Sequence, residues 1–143
     1  MHEDTVALLG ACTAGSALTV SAIDRLLPNI KDHHLRRKLS DCAEDHKLLQ
    51  QRACELLEVY GGAEQAPGIL AKSTLWLKTN TRLIMGADDT TMAHLAADHC
   101  DAAIRVLSKS QNQCCMAQPE AIDLTREIIR CRENLSAGLR PYL

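Results

Sequence analysis

Aromatic residues are almost missing from this chain of 143 residues: there is no Phe, one Trp (Trp76) and two Tyr (Tyr60 and Tyr142). Stacking platforms for bases or sugars cannot be assembled from so few rings. An excess of either charge is missing too. Sixteen Lys and Arg face eighteen Asp and Glu, a net charge of −2, which leaves no electrostatic footprint for nucleic acid or an anionic membrane. No stretch of four or more residues alternates with the β-branched enrichment that strands need. Gly61-Gly62 and Gly86 are isolated, so no phosphate-cradling loop is present, and no serine sits in a Gly-x-Ser-x-Gly elbow. The seven cysteines are odd in number and lack paired Cys-x-x-Cys units at zinc-ribbon spacing. Cys12, Cys42, Cys54 and Cys131 fall on helical patterns, where they read as small buried hydrophobes, reduced and cytoplasmic.

What is present is helical periodicity. Val6, Leu9, Thr13, Ser16, Val20, Ile23, Leu27 and Ile30 alternate steps of three and four, as do Leu35, Leu39, Cys42, His46, Leu49, Ala53, Leu56 and Tyr60. Pro28 and residues 29–33 separate the two, Asp32 is placed to cap the second, and Gly61-Gly62 ends it. Residues 69–85 read as helix again. Their register continues through Met92, Leu95, His99, Ala102 and Val106, so a third helix kinked or broken at 86–90 is expected. A polar loop at 110–118 holds Cys114 and Cys115. Pro119 then starts a last helix with the stripe Ala121, Leu124, Ile128, Cys131 and Leu135. The expected fold is all-α: one domain over 1–143, an antiparallel four-helix bundle, with the 69–85 segment available as a crossover.

Thr5–Ile23 is nineteen residues without a charge, long enough for a membrane span. Its acidic lead-in (Glu3, Asp4) and its load of Thr, Ser and Gly favour instead a heavily buried helix of a protein with no membrane partner. Opposite its core stripe runs a second one of small residues, among them Gly10, Ala14 and Ala17. A helix apolar all round needs cover on every side. A homo-oligomer contacting through Gly10, Ala14 and Ala17 is therefore expected.

Candidate chemistry is sparse. Bundle cores hold metals through Glu and Glu-x-x-His, and the chain has no Glu-x-x-His. It does place His46, His99 and Cys131 on core stripes near the middles of three helices, beside Thr13 and Ser16 of the first. Two imidazoles and a thiolate suit zinc, or iron or manganese in a less usual site. The bland alternative is a pair of core histidines satisfied by a hydroxyl or carbonyl, with no cofactor. His94, Asp98, Asp101 and Arg105 read as a solvated face, and His33-His34 as a helix start facing water. Glu44-Asp45-His46 points in three directions and cannot act together. Cys114-Cys115 offers a thiol sensor only if something lowers a thiol pKa.

The order Ile23-Asp24-x-x-Leu27-Pro28, Leu57-x-x-Tyr60-Gly61-Gly62, Trp76-Leu77-Lys78, Gly86-x-Asp88 and Asp101-Ala102-Ala103 resembles the small bacterial ferritin-like bundles of unknown function. The resemblance implies an antiparallel four-helix bundle whose metal-binding members carry mid-helix carboxylates. Here Cys100 or His99 stands where an inward Glu is expected, so no ligand transfers. The expected role is a non-enzymatic, self-associating scaffold; the alternative is a metal-binding ferritin-like bundle with a non-standard His/Cys/Asp site, serving as an oxidoreductase or in metal storage or sensing.

Overall fold

The computed structural model describes residues 2–62 and 87–143, and over these the protein is all-helical. Four long helices carry it: α1 (His2–Leu26), α2 (His33–Val59), α3 (Asp89–Gln113) and α4 (Pro119–Leu139). Helix α1 packs against α2 and α3 and reaches across to α4, while α4 also packs against α2 and α3.

Local chemistry sets the helix ends. Asp32 is extended, and its carboxylate accepts from Leu35 N at 2.8 Å, capping α2 as its position suggested. At the other end Gly61 takes φ +72°, and Gly62 N donates to Leu57 O at 2.9 Å, closing a Schellman turn that a side chain at Gly61 would strain. Asp88 is likewise extended and caps Thr91 N at 2.9 Å, so helical geometry starts afresh at Asp89. The expected 69–85 helix and the kink around Gly86 lie outside the described residues. Helix α3 runs on to Gln113, several residues into the segment read as a polar loop.

Side chains at the termini show which ends meet. Asp4 Oδ2 accepts from Met116 N and Thr5 Oγ1 from Gln118 N, both at 2.9 Å, so α1 and α4 begin at the same end. Lys31 N and Asp32 N donate to the Asp89 carboxylate at 2.9 and 2.8 Å, placing the starts of α2 and α3 together at the other.

Two apolar clusters fill the interior. One gathers Ile23, Leu26, Ile30, Leu35, Leu39, Met92 and Leu139; the other Leu8, Leu9, Leu57, Leu107, Leu124 and Ile128. Cys131 packs against both. Between them lies a polar layer of Thr13, Ser16, Thr19, His46 and Arg132, all buried.

Two registers needed adjusting. Ala102 and Val106, read as core, are exposed, and the buried stripe of α3 passes through Cys100 and Leu107. Likewise Leu57, and not Leu56, closes the stripe of α2. An untwisted helix drifts from a strict three-four alternation by about 20° per seven residues, and the expected stripes did not follow the drift. On α1, Gly10 and Ala14 are covered by the chain's own helices, Ala17 is half-buried, and within the uncharged stretch Thr5–Ile23 the exposed positions are Ala7 and Ser21. His2–Asn29 is long and apolar enough to cross a membrane by composition, and more than half of its most apolar window is buried inside the protein.

Candidate metal centre

Cys42 and His46 are four residues apart on α2, which puts both side chains on one face. Helix α4 brings Cys131 against them. His46 Nδ1 lies 3.5 Å from Cys42 Sγ and 3.4 Å from Cys131 Sγ, and the three ligand atoms all fall within 4.8 Å of one another. Zinc bonds of about 2.3 Å to sulfur and about 2.0–2.1 Å to nitrogen, at the tetrahedral angle, set sulfur and nitrogen roughly 3.6 Å apart. The observed spacings are edges of such a tetrahedron, and the set could hold a metal ion. His46 Nδ1–H donates to Cys42 O at 3.0 Å with both sulfurs close by. His46 Nε2 is buried without a hydrogen-bond partner among the described residues.

Burial is uneven across the three. His46 and Cys42 are buried and Cys131 is half-buried. Cys42 and Cys131 both line a groove of about 930 Å³ between α2 and α4, whose charged walls include Lys38, Asp45, Arg52, Glu127 and Arg130. Arg52 and Glu127 bridge it at 2.8 Å. The thiols share a proton unequally. A hydrogen bond from Cys42, aided by one from His46, pulls the Cys131 thiol well below the usual range. The same bond to Cys131, together with burial, pushes Cys42 up. Cys131 is the favoured thiolate of the pair, and metal binding must displace both the Cys42 thiol proton and the proton on His46 Nδ1.

His99 does not join this set. Its Nε2–H donates to Thr19 Oγ1 at 3.2 Å, the Thr19 hydroxyl being spent on Gly15 O at 3.1 Å. Burial, reinforced by Arg132 and His46, drops the His99 pKa from 6.5 to about 4. Of the expected His46, His99 and Cys131, two therefore converge, with Cys42 in the place of His99. The reason is topological: α2 and α4 are neighbours along the groove, whereas His99 faces α1. The clue in the sequence was the Cys-x-x-x-His spacing at 42–46, passed over because Cys42 read as a small hydrophobe.

Arg132 escaped the sequence reading altogether. It is only 1% exposed. Its Nη1 donates to Ala103 O at 3.2 Å, while Nε and Nη2 have no hydrogen-bond partner among the described residues. The guanidinium fits because position 15 is glycine: a Cβ there would stand 3.0 Å from Nη2. Burial lowers the Arg132 pKa, and the charge acts on the thiols of Cys100, Cys12, Cys42 and Cys131. Ser16 Oγ, in the same layer, is also unpartnered.

The remaining candidates stay apart. His94, Asp98, Asp101 and Arg105 are exposed, as are His33 and His34. Asp45 is exposed while its neighbour His46 is buried, so the 44–46 run does not act as one group. Cys114 is buried rather than in an open loop, with its pKa raised by burial and by Asp4, and Cys115 alone is exposed. The seven cysteines form no disulfide. No family model, curated protein or solved structure matches the chain.

Proposed function

We propose that the protein is a metal-binding helical bundle whose Cys42, His46 and Cys131 take a borderline or soft divalent ion, zinc first, with one coordination position left toward the α2–α4 groove. The observation that carries this reading is the convergence of two sulfurs, from two separate helices, at 3.5 and 3.4 Å from one imidazole nitrogen, the spacing of nitrogen–sulfur edges in a zinc tetrahedron. Two thiolates and an imidazole favour zinc over iron or manganese. Three protein ligands with the fourth place open is the pattern of reactive or exchangeable zinc rather than of a closed structural site. With α1 and α4 starting at one end and α2 and α3 at the other, neighbouring helices run antiparallel. An antiparallel order of this kind is that of ferritin-like bundles. Seven cysteines, none of them in a disulfide, suit a reducing, cytoplasmic setting.

The test is titration of reduced protein, purified without an affinity tag, with cadmium as an optical zinc surrogate. One equivalent should raise the thiolate-to-metal ultraviolet band. Cys42→Ser, Cys131→Ser and His46→Ala should each suppress it, and His99→Asn should leave it in place. A band that survives Cys131→Ser defeats the assignment.

Self-association through α1 is a second reading, favoured by the uncharged outer strip of Ala7, half-buried Ala11, Ala17 and Leu18, and Ser21. Ala17→Glu should shift an oligomer to a later elution volume on sizing chromatography. Ala14→Glu cannot decide the matter, because Ala14 is buried within the chain.

A further inference from the structure

Cys42 and Cys131 belong to different helices, yet both sulfurs rest on one nitrogen, at 3.5 and 3.4 Å from His46 Nδ1, and lie within 4.8 Å of each other. A disulfide of about 2.05 Å requires these two sulfurs to close from within 4.8 Å of each other. Both line the groove, and Cys131, half-buried, is the more accessible. The buried Cys12 has no thiol for a partner: its Sγ lies 3.2 Å from Thr125 Oγ1, whose own proton goes to Ala121 O. A more accessible thiol backed by a more buried one is the arrangement of an attacking and a resolving cysteine.

We propose that Cys42 and Cys131 form a peroxide-sensitive dithiol, in which a hydroperoxide converts the pair to a disulfide joining α2 to α4 and so discharges the metal. The discharge rests on the metal-site reading above; the disulfide does not. In the first step the Cys131 thiolate attacks one oxygen of the hydroperoxide. The O–O bond breaks, Cys131 becomes a sulfenic acid, and the departing alkoxide or hydroxide takes a proton from groove water. Cys42 then attacks the Cys131 sulfur. The S–S bond forms as the S–OH bond breaks, and the hydroxide leaves as water with the Cys42 proton. Two electrons pass from the two sulfurs to the peroxide, which is reduced to an alcohol, or to water, plus one further water. With both sulfurs committed to each other, only His46 remains of the metal set.

The experiment uses full-length, reduced, metal-free protein treated with stoichiometric hydrogen peroxide, alkylated with N-ethylmaleimide and mapped by mass spectrometry. The expected product lacks two hydrogens, contains a linked Cys42–Cys131 peptide pair, and no longer raises the cadmium band until a thiol reductant is added. In Cys42→Ser the expected product is a Cys131 sulfenic acid trapped by dimedone. Repeating the wild-type mapping in a Cys115→Ser background separates the pair from the exposed thiol. Full alkylation of Cys42 and Cys131 after peroxide, or oxidation confined to Cys115, overturns the proposal. Cadmium binding without disulfide formation also sinks the dithiol and leaves the metal reading standing. Disulfide formation without cadmium binding upholds the dithiol and defeats the metal reading. The wild-type map decides the matter even where a variant fails to fold.

Discussion

His46 and His99 stand near the midpoints of α2 and α3, both on the inner side, and they have become different residues. His46 faces two thiols at the floor of a groove, with one ring nitrogen among sulfurs and the other unpartnered. His99 is tied to Thr19 across the α1–α3 seam. The first has the surroundings of a ligand, and the second those of a satisfied core side chain whose charging is opposed by burial and by Arg132. The contrast teaches that a histidine on a helical core stripe acquires its chemistry from what the neighbouring helix presents. A sulfur-bearing neighbour makes a site; a hydroxyl-bearing one makes a brace.

The largest test of this contrast is ligand removal. Cys131→Ser or His46→Ala should weaken zinc or cadmium binding by about 100-fold or more, roughly 3 kcal/mol, whereas His99→Asn should change it by less than about threefold. Competitive chelator titration measures both, and equal losses at His46 and His99 would erase the distinction. Arg132 comes next. Its buried charge has one hydrogen bond and two unpartnered nitrogens, so Arg132→Met should be neutral or stabilising, by up to about 3 kcal/mol in urea unfolding. A loss of that size would mean that Arg132 supports the core.

The pH dependence then singles out His99. Its pKa is about 4 in the folded chain against 6.5 as the ordinary value, so the unfolded chain binds more protons between the two. Stability rises with pH across that window, by up to about 1.4 kcal/mol per unit, and is retained above 6.5. His99→Asn should flatten the slope between about pH 4 and 6.5, as read by denaturant midpoints. The smallest effect is Gly15→Ala. The gain in helix propensity of about 1 kcal/mol opposes crowding against Arg132 Nη2, 3.0 Å from the new Cβ. The net change should stay within about 1 kcal/mol, and it should become clearly stabilising when combined with Arg132→Met. Additivity in that double-mutant cycle would show that residues 15 and 132 do not press on each other.

Much of this architecture is written in local chemistry. The caps at Asp32 and Asp88 and the glycine turn at Gly61-Gly62 satisfy backbone groups within a few residues of themselves, and Pro119 removes a donor that a helix start would leave unpaired, so helix ends follow from local chemistry. The stripes through Leu39, Cys42, His46 and Leu49 and through Leu124, Ile128 and Leu135 likewise follow from a period of 3.6 residues. The sequence by itself therefore determined an all-helical chain and nominated His46 and Cys131 as inward-facing. It could not determine that Cys42 completes their set, that His99 turns to Thr19, or that Arg132 enters the interior opposite Gly15. Those outcomes depend on which helices are neighbours and at what rotation, and periodicity carries no information about partners. Tertiary packing alone decided them, because a metal-ligating or hydrogen-bonding distance of a few ångströms is set between helices and not along one.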